Sequence, residues 1–278
     1  MKISRNMGFV GGGLMGEALI KGILQAGLLE PEQIRVAEPS EERRNVLQKQ
    51  YGIAVFENAE AVWQQSEIVI LAVKPQVIVR VLEGCRDQVN QSHLVISIAA
   101  GIPISLLDHC LSGTRCRIIR VMPNTPAIVQ EGAAALSLGE RATEGDLAVA
   151  RSIFEAIGSS VVVEEGLLDA VTGLSGSGPA YVFSFMEALI DGGVKVGLSR
   201  PVAAELVMQT ILGSVRLAMT SKEHPAQLRA MVTSPGGTTI AGLHAMEKGA
   251  FRAIIMDAVE AATVRSQELG RLVENKKQ

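Results

Sequence analysis

Met7-Gly8-Phe9-Val10-Gly11-Gly12-Gly13-Leu14-Met15-Gly16 is the stretch that decides the fold. Met7 to Val10 has the short apolar character of a first β-strand. Gly11 to Gly16 satisfies G-x-G-x-x-G, and Ala18, Leu19, Ile23 and Leu24 continue at helical spacing. Strand, glycine turn and helix in that order form the setting a dinucleotide fingerprint requires. One glycine makes the tight turn, one admits the pyrophosphate, and one lets helix pack on strand. A glycine-rich turn in an α/β domain that binds no nucleotide would use the same residue types. The place of this stretch, after a strand and before a helix, favours the nucleotide.

Outward from the fingerprint, residues 1–165 alternate strand-like and helix-like segments. Strands are predicted at Ile34–Ala37, Ile68–Val73, Leu94–Ile98, Ile118–Met122, Ala133–Leu138 and Val161–Val163. Helices are predicted at Glu41–Gln50, Ala59–Gln65, Val77–Cys85, Ile104–Cys110 and Gly145–Ala156. Such alternation implies a doubly wound, mostly parallel sheet of the Rossmann type, with ligands at the carboxyl ends of its strands. Two strand ends there carry small residues, Ala72-Val73-Lys74-Pro75 and Ala99-Ala100-Gly101. From residue 166 strand patterns stop. Residues 166–278 read as an all-helical domain, with helices at Leu167–Thr172, Pro179–Val194, Pro201–Thr220 and Phe251–Leu269. Ser199 is the expected N-cap of the third, with Pro201 in its first turn. That helix carries Ala203, Leu206, Val207, Ile211, Leu212, Val215 and Leu217 on more than one side, so burial against a second subunit is expected.

The totals narrow the class. A chain of 278 residues fits two domains. Hydrophobic residues make up 47%, yet only Trp63, two Tyr and six Phe are aromatic, so the core must be aliphatic. A net charge of −3 gives no field that would draw nucleic acid or an anionic membrane. No run approaches the ~20 apolar residues of a membrane span, and the early first strand leaves no room for a signal peptide. Cys85, Cys110 and Cys116 lack C-x-x-C spacing and suit reduced thiols, which with the absence of a leader points to the cytoplasm. His93, His109, His224 and His244 are scattered. His109-Cys110 with Cys116 lacks a fourth ligand, so no metal is expected.

Near the C-terminus, Val232-Thr233-Ser234-Pro235-Gly236-Gly237-Thr238-Thr239 separates two helical segments. Pro235 bends the chain, and Gly236-Gly237 lets backbone pass close to another object and tolerates positive φ. Thr238 or Thr239 then opens a helix whose unpaired N–H groups favour an anion. The stretch suits a small-carboxylate socket. On its own it would equally serve as a capped loop.

Gly173-Leu174-Ser175-Gly176-Ser177-Gly178-Pro179-Ala180-Tyr181, together with Ser234-Pro235-Gly236-Gly237-Thr238-Thr239, resembles the pyrroline-5-carboxylate reductase family. Ala72–Pro75, Arg120-Val121-Met122-Pro123-Asn124-Thr125-Pro126 and Asp191-Gly192-Gly193 support the resemblance, which runs from the first strand to about Leu269. The resemblance implies reduction of 1-pyrroline-5-carboxylate to L-proline, the last step of proline biosynthesis, with NADPH or NADH. It also implies a helical domain interlocked in a homodimer, with rings of dimers in some members. It places the cofactor against Val10, Gly11, Gly12, Gly13, Leu14, Met15, Glu38, Asn58, Ala72, Val73, Lys74, Pro75, Ala99 and Ala100. It places substrate against Glu165, Ser234, Gly237, Thr238 and Thr239. Backbone N–H groups at Gly237, Thr238 and Thr239 would hold the carboxylate, and the Thr239 hydroxyl would face the ring nitrogen as the catalytic group. Glu165 also reads as a solvated charge at a domain hinge.

Two other readings compete with this one. β-Hydroxyacid dehydrogenases share the two-domain plan, but their Gly-x-Gly helix start is followed by a catalytic lysine and then an asparagine. Val182 and Phe185-Met186 stand at those places, and Lys195 is too distant. A non-enzymatic nicotinamide-binding interaction protein would be expected to have lost the Gly-Gly-Thr-Thr loop, which is intact. The cofactor's identity turns on Glu38, 22 residues after Gly16. Many relatives have a small hydroxyl residue about there, which tolerates the 2′-phosphate of NADPH. A carboxylate suits the ribose hydroxyls of NADH. Arg43 or Arg44, turned inward, would offset the repulsion.

Overall fold

The computed structural model describes residues 3–275. In chain order the strands are β1 Met7–Val10, β2 Ile34–Ala37, β3 Ala54–Phe56, β4 Ile68–Leu71, β5 Leu94–Ser97, β6 Arg117–Met122, β7 Gly132–Leu138 and β8 Gly158–Val162. The helices are α1 Leu14–Gln25, α2 Glu41–Tyr51, α3 Glu60–Gln64, α4 Ile78–Cys85, α5 Ile104–Cys110, α6 Glu144–Glu155, α7 Leu168–Val171, α8 Gly178–Lys195, α9 Arg200–Ser221, α10 Pro225–Met231, α11 Thr238–Lys248 and α12 Phe251–Asn275. A single π-helical turn, Thr172–Gly176, separates α7 from α8.

All eight strands form one sheet in the order β3-β2-β1-β4-β5-β6-β7-β8. Neighbours run parallel except β6 and β7, whose antiparallel pairing sets Arg120 opposite Ser137. β1 and β4 are buried along their whole length because helices cover both faces of the sheet. One layer packs Leu19, Ile23, Leu47, Ile153 and Phe154 from α1, α2 and α6 against Phe9 and Ile70. The other packs Trp63, Leu82 and Leu107 from α3, α4 and α5 against Val69 and Leu71. Local chemistry sets the helix ends. Ser40 caps α2 by accepting from Arg43 N, and Gly52 ends it at φ 68°. Thr143 and Asp146 form a reciprocal capping box at α6.

Three differences from the sequence expectations have physical causes. β3 carries no periodic signal, being three residues at a half-exposed sheet edge, held by its parallel pairing to β2. β8 begins at Gly158, where a Cβ would lie 1.9 Å from the Gly132 carbonyl oxygen, so the strand starts at a glycine forced by close approach. Ser199 precedes α9 as expected, but its side chain makes no cap hydrogen bond.

The chain divides into two compact units, residues 1–177 with 260–278, and residues 178–259. This partition differs from a cut after residue 165 because α7 and the end of α12 belong with the sheet. Ser266 donates to Asp169 at 2.5 Å, and a Cβ on Gly270 would come within 3.0 Å of the Gly101 oxygen. In residues 178–259 only Ala203 is buried. It meets α8 at Gly193, where a Cβ would lie 3.0 Å from its own. Leu206, Leu212, Val215 and Leu217 on α9 are exposed within one chain. The expectation that no segment has the length and apolarity of a membrane span needs correction. α9 meets that test, with a mean hydropathy of 1.4 over its best window, because Arg200, Glu205 and Arg216 are its only charged residues.

Candidate functional site

The fingerprint turn explains each of its glycines. Gly11 has φ 104°, and a Cβ there would lie 2.6 Å from the Ala72 carbonyl oxygen. A Cβ on Gly16 would sit 2.7 Å from the Gly11 oxygen, so α1 packs on the turn only without one. Gly13 is the contrast. Nothing lies within 4 Å of where its Cβ would be. It is the N-cap of α1, and no side chain caps that helix. The first N–H groups of a twelve-residue helix are thus open beside a bare backbone, which fits a pyrophosphate.

From this turn a cleft of about 500 Å³ extends along the carboxyl ends of β1, β2 and β4, lined by Val10, Gly11, Asn58, Val73 and Arg80 among others. A second, of about 360 Å³, lies at the end of β5 and is lined by Pro75, Ala100, Gly101, Thr172, Ser177 and Arg265. Of the fourteen residues assigned to the cofactor from the sequence, Val10, Gly11, Asn58 and Val73 line the first cleft and Pro75 and Ala100 the second. Ala72 shapes the turn from behind. Ala99 is buried beneath Ala100. Leu14 is exposed, whereas Met15 packs against the core. Lys74 precedes Pro75 in extended backbone, with its side chain exposed.

Around Gly12 the polar groups form a closed set. Glu38 Oε2 accepts from Gly12 N at 3.0 Å, and its Oε1 accepts from Ser40 N at 3.0 Å. Arg43 Nε donates to the Gly12 oxygen at 2.7 Å and pairs with the Glu17 carboxylate. Tyr51 donates to the other Glu17 oxygen at 2.9 Å. Arg44 donates to the carbonyls of Glu38 and Pro39 at 2.7 and 2.8 Å. Arg43 and Arg44 are thus engaged by the Gly12, Glu38 and Pro39 carbonyls and by Glu17, where the sequence left open that one of them turns inward. Burial would push the Glu17 pKa up, but hydrogen bonds from Arg43 and Tyr51 outweigh it and hold the carboxyl below its ordinary value. Burial and the Glu17 hydrogen bond push Tyr51 up to about 12.

Glu165 has partners within its own unit. Its Oε1 accepts from Ile104 N at 2.6 Å, at the start of α5, and from buried Arg120 at 3.1 Å. Its ion pair also joins β6 to the segment entering α7, so the hinge charge is tethered rather than free. The Ser234–Thr239 loop lies in the other compact unit. Gly236 carries the positive φ, 67°, while Gly237 is extended at φ −78°. A Cβ on Gly237 would lie 2.3 Å from Ser234 Oγ, so a side chain there would displace the Ser234 hydroxyl. Its N–H donates to the Ser234 oxygen at 3.1 Å, which removes it from the expected carboxylate donors in this chain. Thr238 opens α11 after Gly237, again with no side-chain cap. The N–H groups of Thr238, Thr239 and Ile240 are the ones the helix cannot satisfy.

A family model described as pyrroline-5-carboxylate reductase dimerisation matches residues 165–269, and one described as NADP oxidoreductase coenzyme F420-dependent matches residues 6–101. The chain is 45% identical over 269 residues to the pyrroline-5-carboxylate reductase of Methanosarcina acetivorans, covering 96% of this chain and 99% of that one. The chain belongs to the pyrroline-5-carboxylate reductase family. Among solved structures, the reductase from Coxiella burnetii superposes with a TM-score of 0.90 at 35% identity, over 96% of this chain and 99% of that chain. The Plasmodium falciparum pyrroline carboxylate reductase with NADP bound gives 0.87 at 36% identity, over 97% and 100%.

Membership leaves the thiols and histidines as ordinary groups. Burial raises the pKa of Cys85 and of Cys116, so neither is a ready thiolate. His93 accepts from Asn90 N at Nδ1 and so donates from Nε2 to the Trp63 carbonyl at 3.0 Å. No group of three metal-ligating side chains occurs among the described residues. Sequence reasoning missed Thr172, Ser177 and Arg265 as cleft-lining residues, and Glu17 and Tyr51 as the holders of Arg43. Ser177 lies within the Gly173–Tyr181 motif. The π-helical turn that presents it gives no periodic signal.

Proposed function

We propose that this chain reduces 1-pyrroline-5-carboxylate to L-proline by hydride transfer from NAD(P)H, as a homodimer. The observation that carries the reading is the Ser234–Thr239 loop. It folds as a glycine-crowded turn into an uncapped helix, which is the form a carboxylate receptor takes, in a chain that aligns end to end with the family. The exposed apolar face of α9 lies inside the dimerisation segment, and a second copy covers it. That occupant accounts for an apolar helix without a membrane.

The open helix start at Gly13 and the two clefts fit a nicotinamide dinucleotide. Val10 to Gly13 would hold its pyrophosphate, Glu38 and Asn58 its adenosine, and Pro75 and Ala100 its nicotinamide. The reduced nicotinamide supplies the hydride when bound. The protein's share is placement. N–H groups of Thr238 and Thr239 hold the substrate carboxylate, and the Thr239 hydroxyl hydrogen-bonds the ring nitrogen, which takes up a proton as its C=N bond is reduced. A cyclic imine accepts that proton readily, so orientation and electrostatics suffice without a strong acid. Glu165, engaged with Arg120 and Ile104, steadies the start of α5 near the second cleft.

The test is purified protein mixed with reduced nicotinamide and pyrroline-5-carboxylate. Rapid loss of nicotinamide absorbance with formation of proline is expected. Cofactor binding without turnover would overturn the reductase reading and favour a binding protein.

A further inference from the structure

We propose that this chain selects NADH over NADPH by two coupled devices: Glu38 reads the adenosine ribose, and Glu17 with Tyr51 holds Arg43 on the Gly12 carbonyl of the fingerprint turn. The proposal rests on the nicotinamide-cofactor reading above.

Glu38 follows the last residue of β2, next to the strand that enters the fingerprint turn. A dinucleotide whose pyrophosphate lies at the start of α1 brings its adenosine ribose to this strand end. The Glu38 carboxylate is fixed by one backbone N–H on each oxygen, from Gly12 and from Ser40. Each oxygen keeps a second lone pair. A ribose with free 2′- and 3′-hydroxyls supplies donors for them. A 2′-phosphate supplies only acceptors, and sets its negative charge against the carboxylate.

Such a clash can be relieved by a cation turned to the phosphate. Here the two candidates are otherwise engaged. Arg44 is drawn onto the carbonyls of Glu38 and Pro39. Arg43 is drawn onto the Gly12 carbonyl and the Glu17 carboxylate, with Tyr51 bonded to the far oxygen of that carboxylate. The Gly12 peptide is therefore gripped on both sides, its N–H by Glu38 and its C=O by Arg43. Moving Arg43 to a phosphate would break an ion pair and release the fingerprint turn. Arg80 enters the adenosine cleft from α4, but it shares that cleft with Glu57 and Glu60. The local balance is acidic.

Binding of NADH and NADPH to the full-length protein, measured by calorimetry and by the change in nicotinamide fluorescence, tests this without turnover. The unaltered protein is expected to bind NADH roughly tenfold or more tightly than NADPH. Glu38→Ser should lower that ratio by at least about tenfold, weakening NADH and tightening NADPH. Should Glu38→Ser fold poorly, Glu38→Gln removes the charge while keeping an acceptor for Gly12 N–H, and should relieve most of the NADPH penalty. Glu17→Gln frees Arg43 and should tighten NADPH severalfold more than NADH, an effect that loss of packing alone would not produce. NADPH binding as tight as NADH in the unaltered protein overturns the proposal, as does an unchanged ratio in both Glu38 variants. If the ratio shifts with Glu38 but not with Glu17→Gln, the Arg43 device is overturned and Glu38 alone is the selector. Binding of neither nucleotide would overturn the cofactor reading itself.

Discussion

Asn124 joins two of the motifs that mark this family, and its removal should be felt at both ends. Its Nδ2 donates to the Ser175 carbonyl at 3.1 Å, within the π-helical turn, and its Oδ1 accepts from Ala133 N at 2.8 Å, at the start of β7. Asn124→Ala deletes both hydrogen bonds, each contributing about 1 kcal/mol net, and leaves the part-buried Ala133 N–H without its partner at a further cost of about 1 kcal/mol. The sum is about 2–3 kcal/mol of stability, read as a lower urea midpoint. The kinetic consequence is separate. Thr172 and Ser177, at the two ends of that turn, line the second cleft. A loosened turn should lower kcat/KM by roughly tenfold even at temperatures where the variant is fully folded. Asn124→Asp separates the two effects. It keeps the acceptor for Ala133 N but sets an oxygen against the Ser175 carbonyl. It should lose less stability than Asn124→Ala and nearly as much activity. If Asn124→Ala matches the unaltered protein in urea midpoint and in kcat/KM, the clamp has no function and the reasoning fails.

Thr239→Ala should cost about 1–3 kcal/mol of transition-state stabilisation, a tenfold to hundredfold fall in kcat/KM, with Thr239→Ser recovering most of it; equal defects would point to helix packing instead. Tyr51 favours its neutral form in the folded state more than in the unfolded, so its contribution to stability is complete below its ordinary value of 10.0 and is lost as pH rises towards about 12. In a Tyr181→Phe background, tyrosinate absorbance should therefore appear near 12, and Glu17→Gln should bring it down; a titration unmoved by Glu17→Gln would break the proposed link. Sedimentation should show a dimer at micromolar concentration, and Leu206→Glu with Leu212→Glu on α9 should dissociate it; a stable monomer of the unaltered chain would refute the interface.

The sheet was legible wherever its strands are buried on both faces. β1, β4 and β5 are short apolar runs preceded by Asn6, Glu67 and His93, and their alternation with helical segments marks them as strands. The pattern fails at the edges. β3 is half-exposed and three residues long, so its pairing with β2 decides its conformation, not its composition. Gly158 illustrates the same limit. It starts a strand because Gly132 passes so close, a tertiary fact that no window of neighbouring residues carries. On α9 the sequence showed apolar residues all round but could not say what covers them. The structure leaves them exposed in one chain, within the segment that matches the family's dimerisation model.

The candidate site divides along the same line. Residues whose task is backbone geometry were readable, because glycine and proline announce it. Gly11, Gly16 and Pro75 sit where their types imply. The Gly236-Gly237 pair was readable as a tight turn, and the structure gives the positive φ to Gly236 and the close contact with Ser234 to Gly237. Charged residues were readable only as possibilities, since a side chain's direction depends on partners distant in sequence. Glu38, Arg43 and Arg44 lie within seven residues of one another, and from composition alone the arginines could have neutralised the glutamate's effect on a phosphate. What decides otherwise is Glu17, on a different helix, with Tyr51 behind it. Local spacing cannot encode that contact. It arises because α1 and α2 pack on the same face of the sheet, and it converts an ambiguous cluster of charges into one with a definite sign.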